Sequence, residues 1–265
     1  MKSFDEILAK AAELGKKKVA LAGEPDEELD KAIAMADQRG IAEAVPFATA
    51  PEAVAAVRRG ECDILMKGSA ATGDFLKAIL DHDHGLRAGQ LISHIAVIEV
   101  NGKFFLVTDS GICLNPTLEE KVEIIKNAIP LAEAFGMPNP KVAALAAVEK
   151  VNPKMPETVE AQKLAEMNIP GCVVQGPLAV DNAISARAAA VKGITGPVAG
   201  KANILLVPSV LSGNMFGKAI MYFAECRFGG LVAGTTKPVC FLSRADTAET
   251  KLNTMALGVL LCDKK

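Results

Sequence analysis

The chain has 265 residues, half of them apolar, with 22 Gly, no Trp, one Tyr and a formal net charge of −2 from 29 basic and 31 acidic side chains. Near-balanced charge and the shortage of aromatic stacking platforms argue against a nucleic-acid binder, and no apolar run approaches the ~20 residues needed to cross a bilayer. A core of Ala, Val, Leu and Ile in a chain of this length suits a parallel α/β protein with both sheet faces covered.

The N-terminus, Met1-Lys-Ser-Phe-Asp-Glu6, is amphipathic and acidic rather than a signal peptide. The six cysteines are scattered without C-x-x-C spacing and mostly lie in apolar runs, which suits free thiols in a reducing cytoplasm. Hydrophobic spacing predicts a helix over 3–15, a strand at 18–23, a helix to about Arg39, a strand at 42–47, a helix at 51–59 and a strand at 62–68. Short βα connections of this kind predict a parallel sheet. The third strand runs into Lys67-Gly68-Ser69-Ala-Ala-Thr72-Gly73, before a helix at 74–80. Small residues there let a ligand approach the backbone, Lys67 brings charge, and Ser69 and Thr72 bring hydroxyls. The order of Gly, Lys and hydroxyl is not that of a Walker A loop.

His82 and His84 read as a solvated loop, and His94 as a half-buried histidine with its hydrogen bonds met. Asn101-Gly102 between two apolar runs signals a β-hairpin, so the sheet is expected to be mixed. Asn115-Pro116-Thr117 caps a helix to about Phe135, and a second βα series follows: strand 141–148, helix 156–167, strand 171–176, helix 184–192 and strand 202–207. Its strands end in Gly176-Pro177-Leu-Ala-Val-Asp181 and in Pro208 to Gly213-Asn214, with Lys218 one turn into the next helix. The chain is expected to divide into a first α/β domain, residues 1–114 plus 222–265, and a second, residues 115–221.

The last strand end is Val239 to Leu242, followed by Ser243-Arg244-Ala-Asp246-Thr247 and an amphipathic run to Leu261. A hydroxyl and a guanidinium before a helix N-terminus suit a phosphate, because free N–H groups and the helix dipole favour an anion and Arg supplies paired donors; the local alternative is a surface arginine beside an N-cap. Several polar strand ends from two βα series suggest a cleft for a phosphorylated ligand.

Lys67-Gly68, Gly85-Leu-Arg87, Ser93-His94, Thr108-Asp109, Asn152 to Pro156, Gly171 to Asp181, Val198 to Gly200, Gly213-Asn214 and Leu242 to Asp246 resemble, in order along the chain, the phosphate butyryltransferase branch of the phosphate acetyl/butyryltransferase family. The match runs from about Asp63 to the C-terminus, the N-terminal part matching less well. The resemblance implies a two-domain, three-layer α/β/α fold of the isocitrate/isopropylmalate-dehydrogenase type, with a mixed, mostly parallel sheet and an interdomain cleft. It also implies a cytoplasmic homodimer that moves a short acyl group, butyryl or acetyl, between coenzyme A and phosphate. Transfer would be direct, in a ternary complex, with no metal, no bound cofactor and no covalent acyl-enzyme. Ser243 and Arg244 would sit at the reacting phosphate. Acetyl-transferring relatives carry an aspartate seven residues after the serine as a base for the thiol, where this chain has Thr250. Asp246, Glu249 and Asp181 are the alternative acids, with Asp246 placed beside Ser243 and Arg244 as catalytic. Lys67, Gly68, Thr72, Arg87, Asp181, Asn214 and Lys218 are the expected substrate-binding residues, and Lys251 is a further candidate for an anion. Gln175 stands where butyryl-type members often have Asp. Two other readings are a catalytically silent acyl-CoA or acyl-phosphate binder and an NAD-dependent dehydrogenase of the same fold. The second lacks both a G-x-G-x-x-G fingerprint and a cluster of acids for a divalent metal.

Overall fold

The computed structural model describes residues 1–89 and 91–262. Residues 263–265, the end of the expected first domain, lie outside them. In chain order the elements are α1 (Phe4–Glu13), β1 (Lys17–Ala22), α2 (Glu27–Gln38), β2 (Ala42–Phe47), α3 (Ala50–Arg58), β3 (Ile64–Lys67) and α4 (Thr72–Leu80). Then come β4 (Ser93–Val100), β5 (Lys103–Thr108), α5 (Leu118–Ala134), β6 (Lys141–Leu145), α6 (Pro156–Glu166), β7 (Val173–Leu178), α7 (Val180–Ile184) and α8 (Ala186–Val191). The chain ends with β8 (Ile204–Leu206), α9 (Val210–Phe223), β9 (Cys226–Ala233), β10 (Val239–Cys240) and α10 (Ala248–Cys262). The fold is α/β and its strands are mostly parallel.

Two compact units divide the chain, Met1–Ile92 with Arg227–Lys265, and Ser93–Cys226. The hairpin of β4 and β5 therefore groups with the second unit, whereas the sequence reading assigned it to the first. It closes on Asn101 and Gly102, both at positive φ (51° and 68°), the two-residue turn whose twist suits antiparallel strands.

In the first unit the strand order is β2-β1-β3-β10-β9, with β9 alone running antiparallel. β9 escaped the sequence reading because Gly229-Gly230 interrupts its pattern. A side chain at Gly229 would stand 2.7 Å from Leu257, so the glycine is what allows α10 to pack closely. α10 packs on α1, α2 and β10, and all its residues from Ala248 to Leu260 except Glu249 are buried. The expected amphipathic helix is thus a helix enclosed on nearly all sides, and its polar residues are satisfied internally. Thr254 Oγ1 donates to the Thr250 carbonyl and accepts from Gly230 N, and Asn253 donates to the Phe228 carbonyl.

In the second unit the order is β4-β5-β8-β6-β7, with β4 antiparallel to its neighbour. The strand expected to stop at Gly176 continues through Pro177 to Leu178, because β7 is last in the order and an edge strand tolerates a residue with no N–H. Ser185 splits the expected helix 184–192, capping α8 through Ala188 N.

Candidate functional site

Parallel β1, β3 and β10 bring the loops after their carboxyl ends to one edge of the first unit's sheet. Ala22 is level with Lys67, and Met66 with Cys240. The loops after β1 and β3 are stitched together: Gly68 N donates to the Ala22 carbonyl at 3.0 Å, Ser69 N to the Glu24 carbonyl at 3.0 Å, and Glu24 N to Ser69 Oγ at 2.9 Å. A side chain at Gly68 would meet the carbonyls of Gly23, Ala22 and Glu24 at 2.9–3.0 Å. Gly68 is therefore needed for backbone packing, and the Ser69 hydroxyl braces the loop.

The loop after β10 leans the same way. Phe241 stacks on Phe75 of α4, with ring centroids 6.1 Å apart, a pairing worth ~0.5–1.5 kcal/mol beyond its burial. Arg244 Nη2 reaches the Ser69 carbonyl at 3.5 Å. Ser243 and Arg244 are exposed and Lys67 is half-buried. Burial first, then the Arg244 guanidinium, holds the Lys67 ammonium below the ordinary lysine value, with Lys251 adding to the effect and Asp26 opposing it.

The structure corrects the source of the free N–H groups. The start of α10 was expected to face the anion. Its first N–H groups are taken instead: Ala248 N by Glu28 Oε2 at 2.8 Å, and Thr250 N by Thr247 Oγ1 at 3.3 Å. The start of α4, reached through the loop that follows Lys67, has no such cap. Its N-cap position is Ala71, with no side-chain hydrogen bond, whereas α1, α2, α3 and α5 start on Ser3, Asp26, Thr49 and Thr117. Thr72, expected in a loop, is the first residue of this uncapped helix and is exposed. An uncapped helix start beside Lys67 and Arg244 has the makings of an anion site.

Asp246 braces the Ser243–Arg244 turn, accepting from Ser243 N at 2.8 Å while its own N–H returns to the Ser243 carbonyl at 3.2 Å. Lys251, buried on α10, donates to Asp26 Oδ1 at 2.8 Å and to the Arg244 carbonyl at 3.5 Å. Asp26 was missed because Glu24-Pro-Asp-Glu reads as an ordinary helix opening; it caps α2 through Leu29 N as well as holding Lys251. Glu249 is paired with Arg227 at 2.8 Å. Arg87 does not join this group. Its backbone bridges Thr235, and Ala88 N donates to the Gly234 carbonyl, which puts it at the amino end of β10, the end opposite Ser243.

Three expected ligands belong to the second unit. Asp181 lies on α7 in an ion pair with Lys192 at 2.9 Å, and Lys192 first among its partners holds the carboxyl below the usual range. Asn214 and Lys218 are exposed on α9, which begins at Val210; Gly213-Asn214 is therefore helix rather than strand end. Gln175 holds a loop, accepting from Val198 N and Ala199 N at 2.9 and 3.1 Å and donating to the Thr195 carbonyl at 2.9 Å. His94 is buried, with Nδ1 2.7 Å from Ser110 Oγ and its backbone N–H on Asp109. Among the described residues no cluster of three or more His, Cys, Asp or Glu could hold a metal ion, and no helix is long and apolar enough to cross a membrane.

Residues 47–259 match the family model described as phosphate acetyl/butaryl transferase. The chain belongs to this family. A phosphate butyryltransferase of Clostridium acetobutylicum is 39% identical over 300 aligned positions, covering 100% of both chains. A phosphate acetyltransferase of Thermotoga maritima is 44% identical, over 78% of this chain and 73% of its own. The crystal structure of a branched-chain phosphotransacylase from Enterococcus faecalis V583 superposes with a TM-score of 0.86 and 32% identity, covering 94% of this chain and 100% of that one. The family match takes in Lys67, the α4 start and the Ser243–Arg244 turn, and the full-length relative includes the N-terminal part as well.

Proposed function

We propose that the protein transfers a short acyl group between coenzyme A and inorganic phosphate, acyl-CoA + HPO4²⁻ giving acyl phosphate + CoA. The observation that carries this reading is the meeting of Arg244, Lys67 and the uncapped start of α4 on one sheet edge. In this reading Arg244 and the Ser243 hydroxyl hold the phosphate, with the α4 N–H groups and Thr72 beneath it. Held in place, the phosphate attacks the thioester carbon directly, and the fixed positive groups stabilise charge developing on the acyl oxygen and phosphate. Asp246 keeps the Ser243–Arg244 turn in shape, and Gly68 lets the backbone close beneath the ligand. Coenzyme A enters as a substrate, so no resident cofactor is invoked.

The protein is assigned to the cytoplasm and to a homodimer. Tyr222 and Phe223 on α9 are 73% and 90% exposed, with Leu211 and Met215 exposed beside them, which supports a face covered by a second copy. Sedimentation of the purified chain tests that assignment.

Full-length protein incubated with phosphate and acetyl-, propionyl-, butyryl- or isobutyryl-CoA is expected to release free thiol, with higher kcat/KM for four-carbon esters than for acetyl. Each added methylene in an apolar pocket is worth ~1–3 kcal/mol at most. No thiol release with any ester would leave the silent-binder reading, and a tenfold preference for acetyl-CoA would overturn the butyryl assignment.

A further inference from the structure

We propose that Lys67 carries the proton of the reaction: its ammonium protonates the departing sulfur, and in the opposite direction its amine takes the thiol proton. The inference rests on the acyl-transfer reading above. In that reaction an oxygen–carbon bond forms at the phosphate while the carbon–sulfur bond breaks and the sulfur leaves with the electron pair. The phosphate enters as HPO4²⁻ and the sulfur leaves as a thiol, so one proton must pass from phosphate to sulfur. Lys67 would give its proton to the sulfur and be replenished from the phosphate hydroxyl.

The alternatives near the turn are engaged elsewhere. Asp246 accepts from Ser243 N, which fixes it as a brace. Burial opposes ionisation of Asp26, but hydrogen bonds from Lys251 and Leu29 N prevail and hold it below the usual carboxylate range. Lys31 and the Ala248 N–H do the same to Glu28. Carboxylates stabilised in this way are weak bases. Thr250 is buried, its hydroxyl 3.1 Å from that of Thr247.

Lys67 differs from all of these. It ends β3, one residue past the Met66–Cys240 pairing with β10. Among the described residues it forms no ion pair, and its ammonium makes one hydrogen bond, to the Gly68 carbonyl at 3.4 Å. The charged groups facing it are Arg244 and Lys251, both cationic, and Asp26, already held by Lys251. Burial, then the Arg244 guanidinium, holds its pKa below the ordinary lysine value, which makes its ammonium a readier proton donor than that of an exposed lysine.

The test uses full-length protein with butyryl-CoA and phosphate, and with butyryl phosphate and CoA. Lys67→Arg keeps the charge but cannot release a proton. It is expected to leave KM for phosphate little changed while lowering kcat ~10²–10⁴-fold, the usual contribution of a general acid or base. In acyl-CoA consumption the wild-type rate falls on the alkaline side as the ammonium deprotonates; Lys67→Arg should lose that limb. Lys67→Ala should be rescued by added ethylamine, and Lys67→Arg should not. Thermal melts check that each variant is folded. A Lys67→Arg enzyme with near-wild-type kcat, or a Lys67→Ala enzyme defective only in KM and unrescued by amine, would overturn the proposal and leave acyl transfer standing. A wild-type protein releasing no thiol would overturn both.

Discussion

Lys251 Nζ donates to Asp26 Oδ1 at 2.8 Å, with 4% of the lysine side chain exposed against 46% of the aspartate. The pair joins the last helix to the start of α2, directly beneath the Arg244 backbone. Asp26→Ala removes the N-cap of α2 and leaves a buried ammonium without its carboxylate. A loss of ~2–3 kcal/mol is expected, and Lys251→Met in the same protein should recover most of it. The sign of the pH effect follows from the lowered Asp26 carboxyl. Its stabilisation is present above the unfolded value of about 3.9 and fades as pH falls through the lower folded value. Urea midpoints of wild type and Asp26→Ala should therefore draw together below about pH 4. Parallel midpoints down to the acid limit would show that the pair contributes nothing.

Arg244 is exposed and, among the described residues, its guanidinium makes one hydrogen bond, at 3.5 Å, so its removal should leave the melting temperature unchanged. Arg244→Ala is expected to cost ~3–4 kcal/mol of transition-state stabilisation in kcat/KM for phosphate. Arg244→Lys should cost only somewhat less, because a point charge cannot reproduce the paired donors. Ser243→Ala should cost less than either. Near-wild-type turnover by Arg244→Lys would show that charge alone suffices.

Gly68→Ala puts a methyl group against three carbonyl oxygens of the β1 loop. Those oxygens are backbone atoms and cannot turn aside, so the loop carrying Lys67 and the start of α4 must shift. Activity should fall by at least tenfold, as expected for about 1 Å of misplacement. An active, equally stable Gly68→Ala protein would show the loop to be more yielding than its packing implies.

Gln175→Glu tests the loop at 195–199. A carboxylate still accepts from Val198 N and Ala199 N but meets the Thr195 carbonyl with an oxygen where the amide donated. The exchange should destabilise the protein by ~1–3 kcal/mol at neutral pH, and by less once the carboxyl is protonated and can donate. Equal thermal stability at pH 7 would mean that the loop is held by other contacts.

The α/β class and most element positions were legible because local signals agreed: β2 and α6 fall almost residue for residue where spacing puts them, and Asn101-Gly102 marks its turn. What stayed hidden depends on partners distant in sequence. β9 carries glycines that only α10 explains, and α10 hides its enclosure because its neighbours on three sides are not in its own sequence. In the candidate site, Lys67 and the Ser243–Arg244 turn were visible as strand ends. The helix start facing them was misassigned because a cap contributed by Glu28, 220 residues away, cannot be read from the stretch around Ala248. Arg87 looked like a ligand for the same reason: nothing local says which end of the sheet its loop reaches.

The order β2-β1-β3-β10-β9 has a consequence for synthesis on the ribosome. The second unit's strands lie in one uninterrupted stretch and have all emerged before the first unit's last strands. When residues up to Ile92 have emerged, β3 still presents an open edge, and the strand that covers it arrives only with Val239. Arg244 and the helix that supports its loop come later still, so a nascent or truncated chain carries Lys67 and the α4 start without their guanidinium. The proposed phosphate site therefore exists only in finished molecules.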